Sequence, residues 1–549
     1  MYVRTISRKN KDGSKVTYVQ LAHNVRDKDK RYPRAEVIYS FGRADNLDIE
    51  GIKRLIKSLS RLLRAEDAAR VEAELSLAGE DIKCLRSLPM GGGYLLRQLW
   101  EGLGFKEVIE AAIKGRKYRM PVEWAIYAMV ANRALEPDSK RAVEEWARED
   151  VWLGNEDDIE LQHLYRGMDI LLEGSEELQR EIYHRVADLL NLEVDLLFFD
   201  TTSTYMEIEE EDEEGLRRYG HSKDRRPDLP QVVIGLAVTK EGIPVRCWVL
   251  PGNRSDMKTV QMVKEDLRGW RLNRCIWVMD RGMNSEENRV ILQKAGGHYI
   301  VGEKLRDASG NYKEALSCRG RYHKVRDNLM VKEVVIGEGQ RRRRFVVVYN
   351  PEQAKKDKVT REKTLKRIEE SLRALRGKES KKAFCALLTD RTMGRYLKQL
   401  KSGKVRIDRG KVKAEEALDG KYLLSTSDDS LSAEDVALGY KQLLEVERAF
   451  RTLKSTLELR PVYHRKDDRI KAHVLLCFFA LVLIRIAEVK TGLSWRKIRA
   501  EMQRMHLVEI QTKDGRILQR TELTPEQSNI LKKLNISPPP KLYKAETAP

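Results

Sequence analysis

Little in this chain of 549 residues speaks for cross-linking by disulfide or metal. Its six cysteines, Cys84, Cys247, Cys275, Cys318, Cys385 and Cys477, are scattered. No Cys-x-x-Cys pair occurs and no histidine stands nearby at finger spacing, which argues against a structural zinc and for reduced cytosolic thiols. The nine histidines are as dispersed. No secretory signal is visible in the polar start MYVRTISRKNKDGSK, and the longest apolar run, Val474 to Ile484, is too short to span a bilayer. A buried core helix is expected there, and no membrane partner.

Charge, by contrast, is abundant. Charged residues make up 34% of the chain and hydrophobic ones 41%, a balance that suits a soluble protein with real cores. Lysine and arginine (104) outnumber aspartate and glutamate (85), leaving a formal charge of +19. An acidic polymer, most simply nucleic acid, is the expected partner. Ribosomal and membrane-surface proteins share that balance, so charge alone decides little. The length exceeds one ordinary core, and three or more folded units are expected.

Taken in order, residues 1–50 alternate polar and apolar in the runs VTYVQLAHNV and RAEVIYSFG around the charged turn RDKDKRYP, which predicts a β-hairpin unit. Residues 51–190 read as helix after helix, a region able to hold a helix-turn-helix reader of DNA. Arg116, Lys117, Arg119 and Arg133 are the first basic residues to test there. At Val194 the character changes. VDLLFFD is a continuous apolar run ending in Asp200, as a strand buried on both faces requires. Strand-like runs at 232–238 and 243–250 follow, then a helix from Met257 capped by Ser255 or Asp256, then the buried strand CIWVMD ending in Asp280. A helix and a fifth short strand, 298–302, complete an order that is that of a ribonuclease-H-like sheet. In such a sheet the first strand lies beside the fourth, so Asp200 and Asp280 meet.

Residues 304–420 stop fitting that sheet and read as an inserted domain, with a basic run Arg341–Arg344. Residues 421–490 return to the core with a strand and two helices, and 491–549 give further helices and a loose Pro-rich tail. The expected fold is therefore multidomain α+β: a ribonuclease-H-like core, 191–303 and 421–490, interrupted by an insertion, with a helical DNA-binding region and a hairpin before it.

The stretch Tyr440 to Leu457, YKQLLEVERAFRTLKSTL, is expected to form one long amphipathic helix. Leu443, Val446, Phe450, Leu453 and Leu457 share its apolar stripe, while Tyr440, Glu447, Arg451 and Lys454 line the edge, holding Glu447 at a core boundary. For a lone glutamate, a solvated surface helix would be the ordinary explanation. The spacing of Tyr440, Leu443, Glu447 and Lys454, however, resembles the Tyr-Arg-Glu-Lys signature of bacterial insertion-sequence DDE transposases, with Leu443 in place of the arginine. DTTSTY around Asp200, YGHSKDRRPDLPQ after it and MDRGMNSEEN around Asp280 also look like that family's motif blocks.

The resemblance implies a catalytic and metal-binding triad of Asp200, Asp280 and Glu447 holding two Mg²⁺ ions, with Mn²⁺ able to substitute. Hard cations prefer such oxygen donors. It further implies that Lys454 holds a phosphate near the cleaved strand and Tyr440 contacts the terminal nucleotides. Leu443 cannot make the arginine's contact, and Arg451 or Arg448 would replace it. Arg281, Lys223 and Arg226 are backbone-binding candidates, with ordinary surface cations the competing explanation. The partners implied are the terminal inverted repeats of a mobile element, target DNA and a second copy of the chain, in a prokaryotic cytoplasm at the nucleoid. A ribonuclease-H-like nuclease of repair or defence, and a non-catalytic DNA-binding derivative, are the competing functions.

Overall fold

The computed structural model describes residues 1–9, 15–25, 34–60, 62, 83–116, 118–154, 159–190, 194–208, 210–270, 272, 275–306, 311–339, 342–375, 381–512 and 515–547. The chain forms two compact units, Met1–Arg86 with Val508–Gln519 and Leu542–Pro549, and Ser87–Leu507 with Arg520–Lys541. Lys117, Arg341, the turn at 26–33 and, within the region 51–190 expected to be helical, residues 61 and 63–82 lie outside the described residues.

In the first unit the expected hairpin gains a third strand. β1 (Tyr2–Lys9), β2 (Lys15–Val25) and β3 (Arg34–Arg43) form an antiparallel sheet, with Tyr2 opposite Ala22 and Val25 opposite Arg34. The helix Ile49–Ser60 follows. β4 (Lys83–Pro89) belongs to a second sheet, completed by carboxy-terminal strands described below.

The second unit is built on β5 (Leu196–Tyr205), β6 (Gln231–Val238), β7 (Pro244–Pro251), β8 (Ile276–Met279) and β9 (His298–Gly302). β5 is the middle of the five, antiparallel to β6 and parallel to β8, and the order runs β9-β8-β5-β6-β7. The first strand of this set thus lies beside the fourth. LLFFD is a nearly unbroken apolar run because both faces of β5 are covered. On one side Phe199, Trp248 and Trp277 pack with Val260 and Val263 of the helix Asp256–Asp266 and Leu292 of the helix Glu286–Gln293. Fully burying such side chains contributes about 2–3 kcal/mol each. Trp248 and Trp277 are therefore packing residues. The helix Leu444–Arg451 also packs against β5 and β6, burying Val446, Ala449 and Phe450.

Residues 304–420, expected as a separate insertion, instead extend this sheet. β10 (His323–Arg326), β11 (Leu329–Ile336) and β12 (Arg343–Tyr349) join it, and β12 pairs with β15 (Lys421–Thr426), which pairs in turn with β9. The cause is legible in RRFVVVY: Phe345 to Val348 are buried on both faces, which only a central strand position satisfies. Among the described residues the helices Pro351–Ala374, Lys381–Thr389 and Arg409–Glu416 and the small hairpin β13 (Leu397–Gln399) and β14 (Val405–Ile407) stand off it, and Ile368, Tyr396, Leu397 and Val405 gather in a small core of their own.

The helical region packs around a buried helix. Every residue of the helix Val122–Leu135 except Glu123 is buried, against the helices Leu161–Glu173 and Asp467–Thr491. Arg133 is buried with it and Arg116 pairs with Glu173. The helix Asp467–Thr491 is long and apolar enough to cross a membrane by length and composition, but here it is the buried centre of a bundle. It ends at Gly492, whose φ of 72° permits the left-handed turn that returns its N–H to the Glu488 carbonyl at 2.8 Å. His473 on it is a buried core histidine whose Nε2 hydrogen-bonds the Leu459 carbonyl at 3.2 Å, while its Nδ1 has no hydrogen-bond partner among the described residues.

The expected loose tail is ordered as well. β16 (His506–Thr512), β17 (Gly515–Arg520) and β18 (Leu542–Thr547) form, with β4, the sheet β18-β17-β16-β4, and the helix Pro525–Lys533 carries a capping box from Thr524 and Gln527.

Candidate active site

Phe199 of β5 is paired with Met279 of β8 in parallel register, so the next residues, Asp200 in the middle of β5 and Asp280 just past the end of β8, stand side by side. Asp200 accepts the Thr201 N–H at 2.7 Å and lies 3.7 Å from the Lys223 ammonium. Burial pushes its carboxyl up to about 6, and the charges of Asp280 and Asp256 add to the rise against the opposing pull of Lys223. Asp280 begins the short turn Arg281–Met283 and accepts the Tyr440 hydroxyl at 3.2 Å. Gly302 makes that contact reachable, because a Cβ there would lie 2.4 Å from the Tyr440 oxygen. Burial and the Asp280 charge together raise the Tyr440 phenol well above its ordinary value.

The long helix expected over 440–457 is broken. Ala433–Lys441, capped by Ser432, ends before Leu443, and Leu444–Arg451 runs on into a π-helical turn, Thr452–Thr456. The first segment packs on β8 and β9, and a Cβ added at Gly439 would just reach van der Waals contact with Leu196 and Ile300. The break also changes the placement of the glutamates. Glu447 is exposed rather than held at a core boundary, while its neighbour Glu445 is half-buried and bound to Arg485 at 3.0 Å.

Glu447 and Asp280 nevertheless line one cleft of about 1180 Å³, with Arg281, Lys304, Lys441 and Tyr440 on its walls. Asp200 is not among the residues lining it. Arg281, Lys304 and Lys441 are exposed cations there. The other candidates are placed as follows. Lys454 donates to the Ser203 carbonyl and to Asp224, both at 2.8 Å. Arg448 pairs with Glu445 at 2.5 Å, and Arg451 is exposed. Arg226 forks onto Asp228 and lies over the Tyr205 ring at 5.1 Å. Lys223 turns inward to the acidic cluster, with 34% of its side chain exposed.

Two acidic residues that the sequence did not single out belong here. Asp224 bridges Lys454 and Arg460, at 2.8 and 2.7 Å, and its only signal was its place in the SKDRRPD block. Asp256 was read as a helix cap. Its carboxylate instead accepts the Thr201 hydroxyl at 2.5 Å and faces Lys223 at 3.4 Å. Tight backbone contacts hold the Lys223 segment. The Gln231 amide binds the His221 and Gly252 carbonyls, and a Cβ on Gly252 would fall 2.0 Å from the Gln231 carbonyl oxygen. Gly252→Ala is therefore expected to destabilise this unit by about 3 kcal/mol through forced backbone movement and to impair the site, as thermal unfolding and cleavage assays would read.

Fold and cleft together define a mixed α+β protein whose strand ends gather carboxylates beside exposed cations. The transposase DDE domain model matches residues 197–483, and the model of the IS1634 family transposase N-terminal domain matches residues 3–70. The chain belongs to the DDE transposases of insertion sequences. No curated protein matches it. Among solved structures, the piggyBac transposase synaptic complex with hairpin DNA is similar at 11% identity over 75% of this chain and 79% of that chain, with a TM-score of 0.35. A likeness that weak fixes nothing further.

Proposed function

We propose that this transposase recognises the terminal inverted repeats of its element, cuts at the ends and joins the exposed 3′-OH groups to target DNA. Asp200, Asp280 and Glu447 are its catalytic carboxylates, on a ribonuclease-H-like core. The observation that carries this reading is the parallel register of β5 and β8, which sets Asp200 beside Asp280, with Glu447 on the wall of the cleft that Asp280 lines.

The donor set suits Mg²⁺. All three side chains offer hard oxygen, and the Asp200 carboxyl, raised first by burial and then by the charges of Asp280 and Asp256, would be held ionised by a divalent cation beside it. Among the described residues no three such groups are already gathered closely enough to ligate one ion. On this reading Asp200 and Asp280 form the first half of the site, and Glu447 completes it when DNA fills the cleft. A bound divalent ion supplies a nucleophile of lowered pKa and neutralises charge on the phosphodiester. The chain's own residues do the rest. The Tyr440 hydroxyl holds the Asp280 carboxylate, and Arg281, Lys304 and Lys441 offer charge to the DNA backbone, which makes binding salt-dependent. Synapsis of two ends would bring two copies of the chain together at the nucleoid.

The test supplies precut end duplexes and a target plasmid in Mg²⁺. Joined products are expected. Hydrolysis without joining would replace this reading with a nuclease, and no reaction despite end binding would replace it with a DNA-binding derivative.

A further inference from the structure

Four oxygens already surround a cation beside the middle of β5. The Lys223 ammonium lies 2.6 Å from the Thr201 carbonyl oxygen, 2.9 Å from its hydroxyl, 3.4 Å from Asp256 Oδ2 and 3.7 Å from Asp200 Oδ1. None of these partners is an accident of the surface. Side-chain exposure is 22% for Asp200 and 31% for Asp256, and Thr201 is buried. Asp256 is anchored by the Thr201 hydroxyl, and the Lys223 backbone N–H is anchored on the Ser203 hydroxyl at 2.7 Å. The lysine head can therefore move between two carboxylates while its main chain stays fixed. A divalent ion arriving at Asp200 would meet that ammonium first, and the two would compete for the same carboxylate charge.

We propose that the Lys223 ammonium is the resident cation of the acidic cluster, and that Asp256 is the carboxylate to which it withdraws when a divalent metal takes Asp200. Asp256 is on this account a positioning residue that parks the displaced charge, and Lys223 sets the metal concentration at which the site loads. The inference rests on the proposed role of Asp200 in metal binding and adds two residues to it.

Mn²⁺ titration of the metal-free full-length chain, followed by electron paramagnetic resonance of the free ion, tests it without reference to activity. Lys223→Met is expected to tighten binding about tenfold by removing the competitor, and Asp256→Asn to weaken it about tenfold by leaving the lysine on Asp200. In the Lys223→Met background Asp256→Asn should have little further effect, since no lysine remains to be parked. Unchanged or weaker binding by Lys223→Met overturns the proposal, as does an Asp256→Asn loss that persists in that background, which would make Asp256 a direct ligand. Wild-type chain that takes up no Mn²⁺, or Asp200→Asn that binds it as wild type does, overturns the metal reading and this inference with it.

Discussion

Asp200→Asn, Asp280→Asn and Glu447→Gln are each expected to lower Mg²⁺-dependent cleavage of an end duplex by at least about a thousandfold, with end binding kept, and the double variants should lose little more than the singles. Groups that act as one unit fail together. The three should part company in stability. Burial, helped by Asp280 and Asp256, holds the folded Asp200 carboxyl at about 6 against an ordinary 3.8. A folded-state value above the unfolded one makes ionisation a cost to the fold. That cost is absent below pH 4, grows as pH rises towards 6 and is fully present at neutral pH. Asp200→Asn should therefore stabilise the metal-free chain by about 2–3 kcal/mol at pH 7, at about 1.4 kcal/mol per unit, and by nothing near pH 4. Exposed Glu447 offers no such gain. Thermal unfolding across that pH range, alongside a gel cleavage assay, reads both effects. An Asp200→Asn chain that cleaves at the wild-type rate, or is no more stable at pH 7 than at pH 4, would remove Asp200 from a charged catalytic cluster.

The strand half of the candidate site was legible as a juxtaposition of two aspartates because a buried strand announces itself. VDLLFFD and CIWVMD are apolar on both faces, each ends in an aspartate, and the parallel pairing of β5 with β8 places those ends together. The half carried by the helix was less so. A stripe computed at a fixed 100° per residue assumes one unbroken helix, and the break before Leu444 with the π-turn after Arg451 resets the azimuth, exposing Glu447 and burying Glu445. Asp256 and Asp224 escaped notice for another reason. Both are defined by partners far along the chain, Thr201 for one and Arg460 for the other, and such pairs leave no local pattern. The placing of β10 to β12 in the main sheet was hidden likewise, because edge and central strands differ only in who pairs with them, although the buried run Phe345–Val348 held the hint.

Lys140→Met is expected to produce the largest gain in stability of any single change considered. Lys140 is 4% exposed, opens the helix Lys140–Glu145, and its ammonium has no hydrogen-bond partner among the described residues. A cation at a helix amino terminus faces the positive end of the dipole. Arg133, which reaches the Leu457 and Glu458 carbonyls at 3.5 and 3.3 Å, shares its sign, and burial pushes the His473 imidazole close to both well below its ordinary value, so it brings no opposite charge. Burial, with Arg133 adding to it, brings the Lys140 ammonium from 10.5 down to about 7. A folded-state value below the unfolded one means that the chain gains no penalty above pH 10.5, loses stability as pH falls from there to 7, and stays at the full penalty below. Methionine keeps the stem and removes the charge, so the gain should be about 4 kcal/mol at pH 7 and should shrink towards zero as pH rises past 10. Urea unfolding of the larger unit at several pH values measures it. A midpoint that does not move at pH 7, or a gain as large at pH 10 as at pH 7, would mean that the ammonium is solvated or paired and that the cluster around Arg133 tolerates it without cost.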